Sequence, residues 1–178
     1  MKRFDRLDLC YLLGAAFCVL LIGALLGGSP AEGDERSGPA SARLEQKLAA
    51  QARARMLQQL YEPVERLRAE GQYAMALLEL AQLQRSYPGE PYGELLRGEL
   101  LLLSGARDEA VAALSLAVKG NGDFIDDNSP LSKRSLVADL VSRGLPLYAE
   151  LARAGNASAR GSLQALRFLQ SRLAGGCE

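Results

Sequence analysis

Two stretches of this 178-residue chain repeat one pattern at a fixed distance, and that repeat limits the folds open to it. Residues 71–88 read GQYAMALLELAQLQRSYP, and residues 105–120 read GARDEAVAALSLAVKG. Gly71 and Gly105, Ala76 and Ala110, and Leu80 and Leu114 each stand 34 residues apart. A glycine, then a small residue, then a large one a turn later describes a helix that follows a tight turn and is crossed closely by its predecessor. Ala76 and Ala110 are the predicted crossing points, and Leu80 and Leu114 fill the space one turn on. A single hairpin cannot bury its apolar face, so copies at a fixed period stack.

From Ser41 onward the segments carry helical periodicity and none alternates like a strand, which makes the chain all-α. Ser41 is the expected cap of a first helix in which Leu44, Leu48, Ala52, Met56 and Leu60 step by fours. Pro63 starts or kinks the next piece. Gly71 and Gly105 divide two helix–turn–helix hairpins, closed by Pro88 and Pro91 and by the run GNGD. A third, degenerate hairpin is expected over 130–154, opened by Ser129-Pro130 and turned at Gly144, with a closing helix over 158–174.

This arrangement resembles the tetratricopeptide repeat (TPR), with one repeat over 57–90 and a second over 91–124. Gly98 matches the family's small residue in the first helix, and Leu67 and Leu101 its large residue one turn on. Gly71 and Gly105 match the turn, Ala76 and Ala110 the crossing alanine, Ala117 the later small position and Pro88 the terminating proline. Val64, Leu83 and Gly122 depart from the pattern. The resemblance covers 57–124 and implies a short helical solenoid whose first helices line a concave groove. It places Gln58, Tyr61, Glu65, Arg68, Tyr92, Leu95, Glu99 and Leu102 on that groove as partner-binding residues. Such a surface suits an apolar segment carrying a basic residue, which Glu65 and Glu99 would pair. The alternative is that Leu95 and Leu102 pack against neighbouring helices and leave little groove.

Residues 9–31 carry no charge, and 9–28 are almost wholly apolar. About 20 such residues span a hydrocarbon core of about 30 Å. Lys2, Arg3 and Arg6 precede the run, so the positive-inside rule leaves the N-terminus in the cytoplasm and exports the rest. We read 1–28 as a cytoplasmic tip and uncleaved transmembrane signal anchor, because the run is longer than a signal-peptide core. The rival is cleavage after Ser29-Pro30-Ala31. Residues 29–40, rich in Gly, Pro, Ser and charge, read as a flexible linker to a helical domain over 41–178. Gly23 and Gly27 form a GxxxG that offers a helix-dimer face.

Twenty-one basic and 21 acidic residues cancel, which argues against a dedicated nucleic-acid binder. The chain has no histidine, the commonest general base and metal ligand. Cys10 and Cys18 lie in the apolar run, whereas Cys177 stands alone near the terminus, as a spare thiol or a bridge between chains. Asp123, Asp126, Asp127 and Asn128 lack calcium-loop spacing and read as turn caps. No phosphate loop or nucleophile–base pair stands out, so no enzyme activity, cofactor or metal is expected.

Together these features predict a single-pass protein of a bacterial inner membrane with a TPR-like periplasmic domain. Its expected role is a scaffold binding a protein or peptide in envelope assembly, secretion or maturation. The alternative is a permanent structural subunit of a membrane complex, with the repeats as packing surface. A hydrolase using a single Glu is the weakest reading.

Overall fold

The computed structural model of the chain describes residues 39–175. The readings on 1–38, including the anchor, the Gly23/Gly27 face, Cys10 and Cys18, and that on Cys177 lie outside the described residues. Of the described residues, 46–175 belong to one compact unit. Every regular element among the described residues is helical, and none of these helices is long and apolar enough to cross a membrane.

Helix α1 spans Pro39–Leu60, α2 Glu62–Ala69, α3 Tyr73–Ser86, α4 Pro91–Leu103 and α5 Arg107–Gly120. A short 3₁₀ turn, Gly122–Ile125, leads through a loop to α6, Arg134–Arg153, and α7, Ala157–Leu173. Because α1 already starts at Pro39, Ser41 lies inside it rather than at its cap. The break at Tyr61 follows from Pro63, which has no N–H to continue the α1 ladder but suits the first turn of α2.

The two expected hairpins are present as α2–α3 and α4–α5, turned by Gly71 and Gly105 at φ +75° and +86°. The bonding is identical in both. The Gly71 N–H donates to the Arg68 carbonyl and the Gln72 N–H to that of Leu67; Gly105 and Ala106 do the same to Leu102 and Leu101. This is the Schellman closure, which satisfies the carbonyls orphaned at a helix end and requires left-handed backbone.

The third hairpin is where the structure corrects the sequence reading. Residues 134–153 form one helix, so there is no turn at Gly144 and no hairpin within 130–154. The turn falls at Gly155, φ +92°, where Gly155 and Asn156 donate to Ala152 and Leu151 in the same closure. The expected closing helix is therefore the second arm of this hairpin, α6–α7. The Asn156 side chain accepts from the Ala159 N–H at 3.1 Å and caps α7. Ser129 and Ser132 cap turns before α6 rather than starting it at Pro130.

Gly144 has a different task. A Cβ there would stand 2.8 Å from Leu166 Cδ1, so the glycine lets α7 approach α6 closely. Gly98 does the same in the second hairpin, where a Cβ would stand 2.5 Å from Leu114 Cγ. The small residues of α5 follow from its position. Leu114 and Ala117 join the core built from α1–α4, Phe124 and Leu131, while Val111 and Val118 join the core built with α6 and α7. A helix enclosed on two faces has little room, and Ala110 and Ala117 are fully buried.

Glycine substitutions separate these roles. Gly155→Ala should lower stability by about 1–2 kcal/mol, since an L-residue is strained at positive φ. Gly161→Ala, in α7 with nothing near its added methyl, should raise it by up to about 1 kcal/mol. Thermal melts of the two variants should move in opposite directions; shifts of one sign would refute the placement of the turn.

Candidate functional site

The face expected to form the groove divides into a closed half and an open half. In the closed half, Glu65 and Arg68 of α2 meet Tyr92 and Glu99 of α4. The Tyr92 hydroxyl donates to Glu65 Oε1 at 3.3 Å. The Arg68 guanidinium bridges Glu65 Oε2, at 2.5 Å, and Glu99 Oε2. Lys133, in the loop before α6, reaches Glu99 Oε1 at 2.9 Å. Its own N–H donates to the Phe124 carbonyl at 2.7 Å, which holds the loop in place. The Tyr92 ring meets Tyr61 edge-on at 5.4 Å and Phe124 at 6.2 Å.

Of the eight expected groove residues, Tyr61, Tyr92, Leu95 and Glu99 are buried within the chain, Glu99 at 5% exposure. Glu65, Arg68 and Leu102 are half-buried and Gln58 is exposed. Glu65 and Glu99, expected to pair a partner's basic residue, are already paired internally. The reason is that Phe124, Leu131 and Lys133 pack where a partner was to lie. Lys133 gave no local signal, because its partner stands 34 residues away.

The open half starts at Leu102. It is a groove of about 180 Å³ with Leu136, Leu140, Leu147 and Tyr148 of α6 on its wall. Leu147 remains 42% exposed. Arg107 stands on its rim with Asp139 and Arg143, which pair at 2.8 Å. The Tyr148 hydroxyl donates to Asp108. The repeat positions reach only Leu102 of this set; Leu136 and Leu140 share a helix face whatever happens at Gly144, and Leu147 and Tyr148 join them because α6 runs unbroken through that glycine.

Burial pushes three phenols up. Tyr148 rises to about 12, through burial first and then its bond to Asp108 and that group's charge. Tyr92 is raised by burial and then by Glu65, against which Arg68 works. Tyr61 is raised by burial and then by Glu90 and Glu94. An unfolded tyrosine ionises near 10, so above that pH the folded state holds protons that the unfolded chain has lost. Stability should be unaffected by these groups below about pH 10 and should fall as pH rises toward about 12. Urea midpoints at pH 8 and pH 11 check this; equal values would contradict it.

The acids of the loop between the 3₁₀ turn and α6 serve the fold. Asp126 Oδ1 accepts from the Asn128 N–H at 2.9 Å, and Asp127 lies 3.5 Å from Arg134. Among the described residues no group of His, Cys, Asp and Glu is placed to hold a metal ion. No protein-family model, curated protein or solved structure matches this chain.

Proposed function

We propose that this chain is a membrane-tethered TPR-like scaffold that binds an apolar segment of a protein or peptide in the groove beside Leu102. The observation carrying this reading is the groove itself: an apolar floor left open between α4, the start of α5, and α6. Hairpin scaffolds present such surfaces to partners rather than to substrates. The apolar run over 9–28 would anchor the protein in a bacterial inner membrane, with the helical domain in the periplasm. In this reading the protein is a binding module of envelope assembly, secretion or maturation and not an enzyme.

A second reading, a permanent accessory subunit, has support in a different surface. Met75 and Leu78 on α3 are 54% and 60% exposed, and Leu48 and Met56 on α1 are 56% and 60% exposed. Photo-crosslinking residues placed singly at Leu147 and Leu78 in intact cells distinguish the two. A discrete adduct from position 147 and none from 78 is the expected result. Adducts from 78 alone favour the accessory subunit and count against the groove.

A further inference from the structure

The open groove beside Leu102 differs in charge from the closed half of the face. In the closed half, Glu65 and Glu99 are already held by Arg68 and Lys133. In the open groove the charged residues of the lining are Arg107, Asp139 and Arg143. Asp139 and Arg143 stand one turn apart on α6 and pair at 2.8 Å, so their charges cancel. Arg107 is exposed and makes no ion pair among the described residues. Its neighbour Asp108 instead accepts from the Tyr148 hydroxyl, and Glu109 lies outside the lining. The groove therefore presents one uncommitted positive charge, Arg107, at the border of an apolar floor.

That floor extends beyond the groove. Leu136, Leu140, Leu147 and Leu151 follow at intervals of four, seven and four residues, which keeps them on one face of α6. At a rise of 1.5 Å per residue the stripe is about 22 Å long. Its far end is the more open, with Leu147 and Leu151 42% and 38% exposed. A helix of about four turns covers such a length, and its own apolar residues recur at the same spacing as the stripe they meet. An acyl chain has no such periodicity. A cation at the border of the stripe is complementary to a carboxylate at the border of the apolar face laid on it.

We propose that the groove selects an amphipathic helix of a partner protein that carries a Glu or Asp at the border of its apolar face, placed to pair with Arg107. The inference rests on the reading of this groove as the partner-binding surface. It reverses the partner charge expected from Glu65 and Glu99.

The probe is a fluorescent, alanine-based helical peptide with leucines at the spacing of the α6 stripe and one flanking residue that is Glu, Gln or Lys. It is titrated into full-length protein in phosphatidylcholine nanodiscs, with binding to empty discs subtracted. The Glu peptide should bind about threefold to fivefold more tightly than the Gln peptide, the worth of one exposed ion pair, and the Lys peptide most weakly. Raised salt should narrow the difference. Arg107→Gln should level the three peptides, and Arg107→Glu should reverse their order, both with an unchanged melt. Leu147→Glu should weaken all three. If no peptide binds, or if Leu147→Glu leaves binding intact, the groove reading and this inference both fall. Peptides that bind through Leu147 with one affinity whatever their charge would leave the groove standing and overturn this inference alone. Displacement of the Glu peptide by laurate, or a dimer that Leu147→Glu dissociates, would assign the groove to a lipid or to a second copy and overturn it as well.

Discussion

Leu114→Ala is expected to lower the unfolding free energy by about 4 kcal/mol, in the upper part of the range for buried leucines. Leu114 is fully buried on α5 and faces Gly98 on α4. Most cavities shrink because neighbouring side chains move in, but a glycine has none to offer, and the wall opposite Leu114 is helix backbone. The space stays open and its full cost is felt. The melting temperature should fall by on the order of 10 °C. Leu78→Ala, at a leucine 60% exposed on α3, serves as the control and should change little. A drop of less than about 1 kcal/mol at Leu114 would mean that α4 and α5 do not interlock at Gly98.

The second large effect belongs to Glu99. Its carboxylate is almost fully enclosed, and it holds Arg68 and Lys133 on its two oxygens. Glu99→Ala leaves two cations near one another without their shared partner. Breaking a fully buried pair costs about 3–5 kcal/mol. Arg68 and Lys133 keep 29% and 33% of their side-chain surface exposed, and Arg68 retains Glu65, so about 2–3 kcal/mol is expected here. A double-mutant cycle between Glu99→Gln and Lys133→Met should give a coupling of about 1 kcal/mol or more. Simple additivity would show that the loop before α6 does not close over this half of the face.

The sequence makes legible whatever a short window determines. Gly71 and Gly105 sit at helix ends because left-handed backbone is needed there, and their 34-residue spacing locates both hairpins. Gly144 misleads for a physical reason. Glycine serves both a chain reversal and a close helix crossing, and Pro146 two residues later imitates the start of a new helix. The structure keeps both inside α6, and Leu166 occupies the space that Gly144 leaves. The true turn carries its own local signature in Gly155-Asn156, a left-handed glycine followed by a capping asparagine. The closing of the groove was not legible in the same way. Tyr61, Tyr92 and Glu99 fall at suitable repeat positions, but whether they meet a partner or their own chain depends on where Phe124 and Lys133 return. That return passes through an irregular loop with no periodicity to read. Leu136 and Leu140 precede Gly144 and share a helix face in either reading, whereas Leu147 and Tyr148 extend that stripe only because α6 is continuous.

The central claim is that the open groove beside Leu102, and not the closed face around Glu99, is the surface that holds a partner. The most direct measurement is the affinity of the full-length protein, in detergent, for the partner crosslinked through position 147. Leu147→Glu puts a charge on the groove floor at a residue already 42% exposed, so the fold should survive it. Gln58→Ala alters the exposed residue of the closed half. The account predicts that Leu147→Glu weakens binding at least about tenfold, more than 1.4 kcal/mol, with an unchanged melt, while Gln58→Ala leaves it within about twofold. Binding that is insensitive to Leu147→Glu and lost in Gln58→Ala would contradict it.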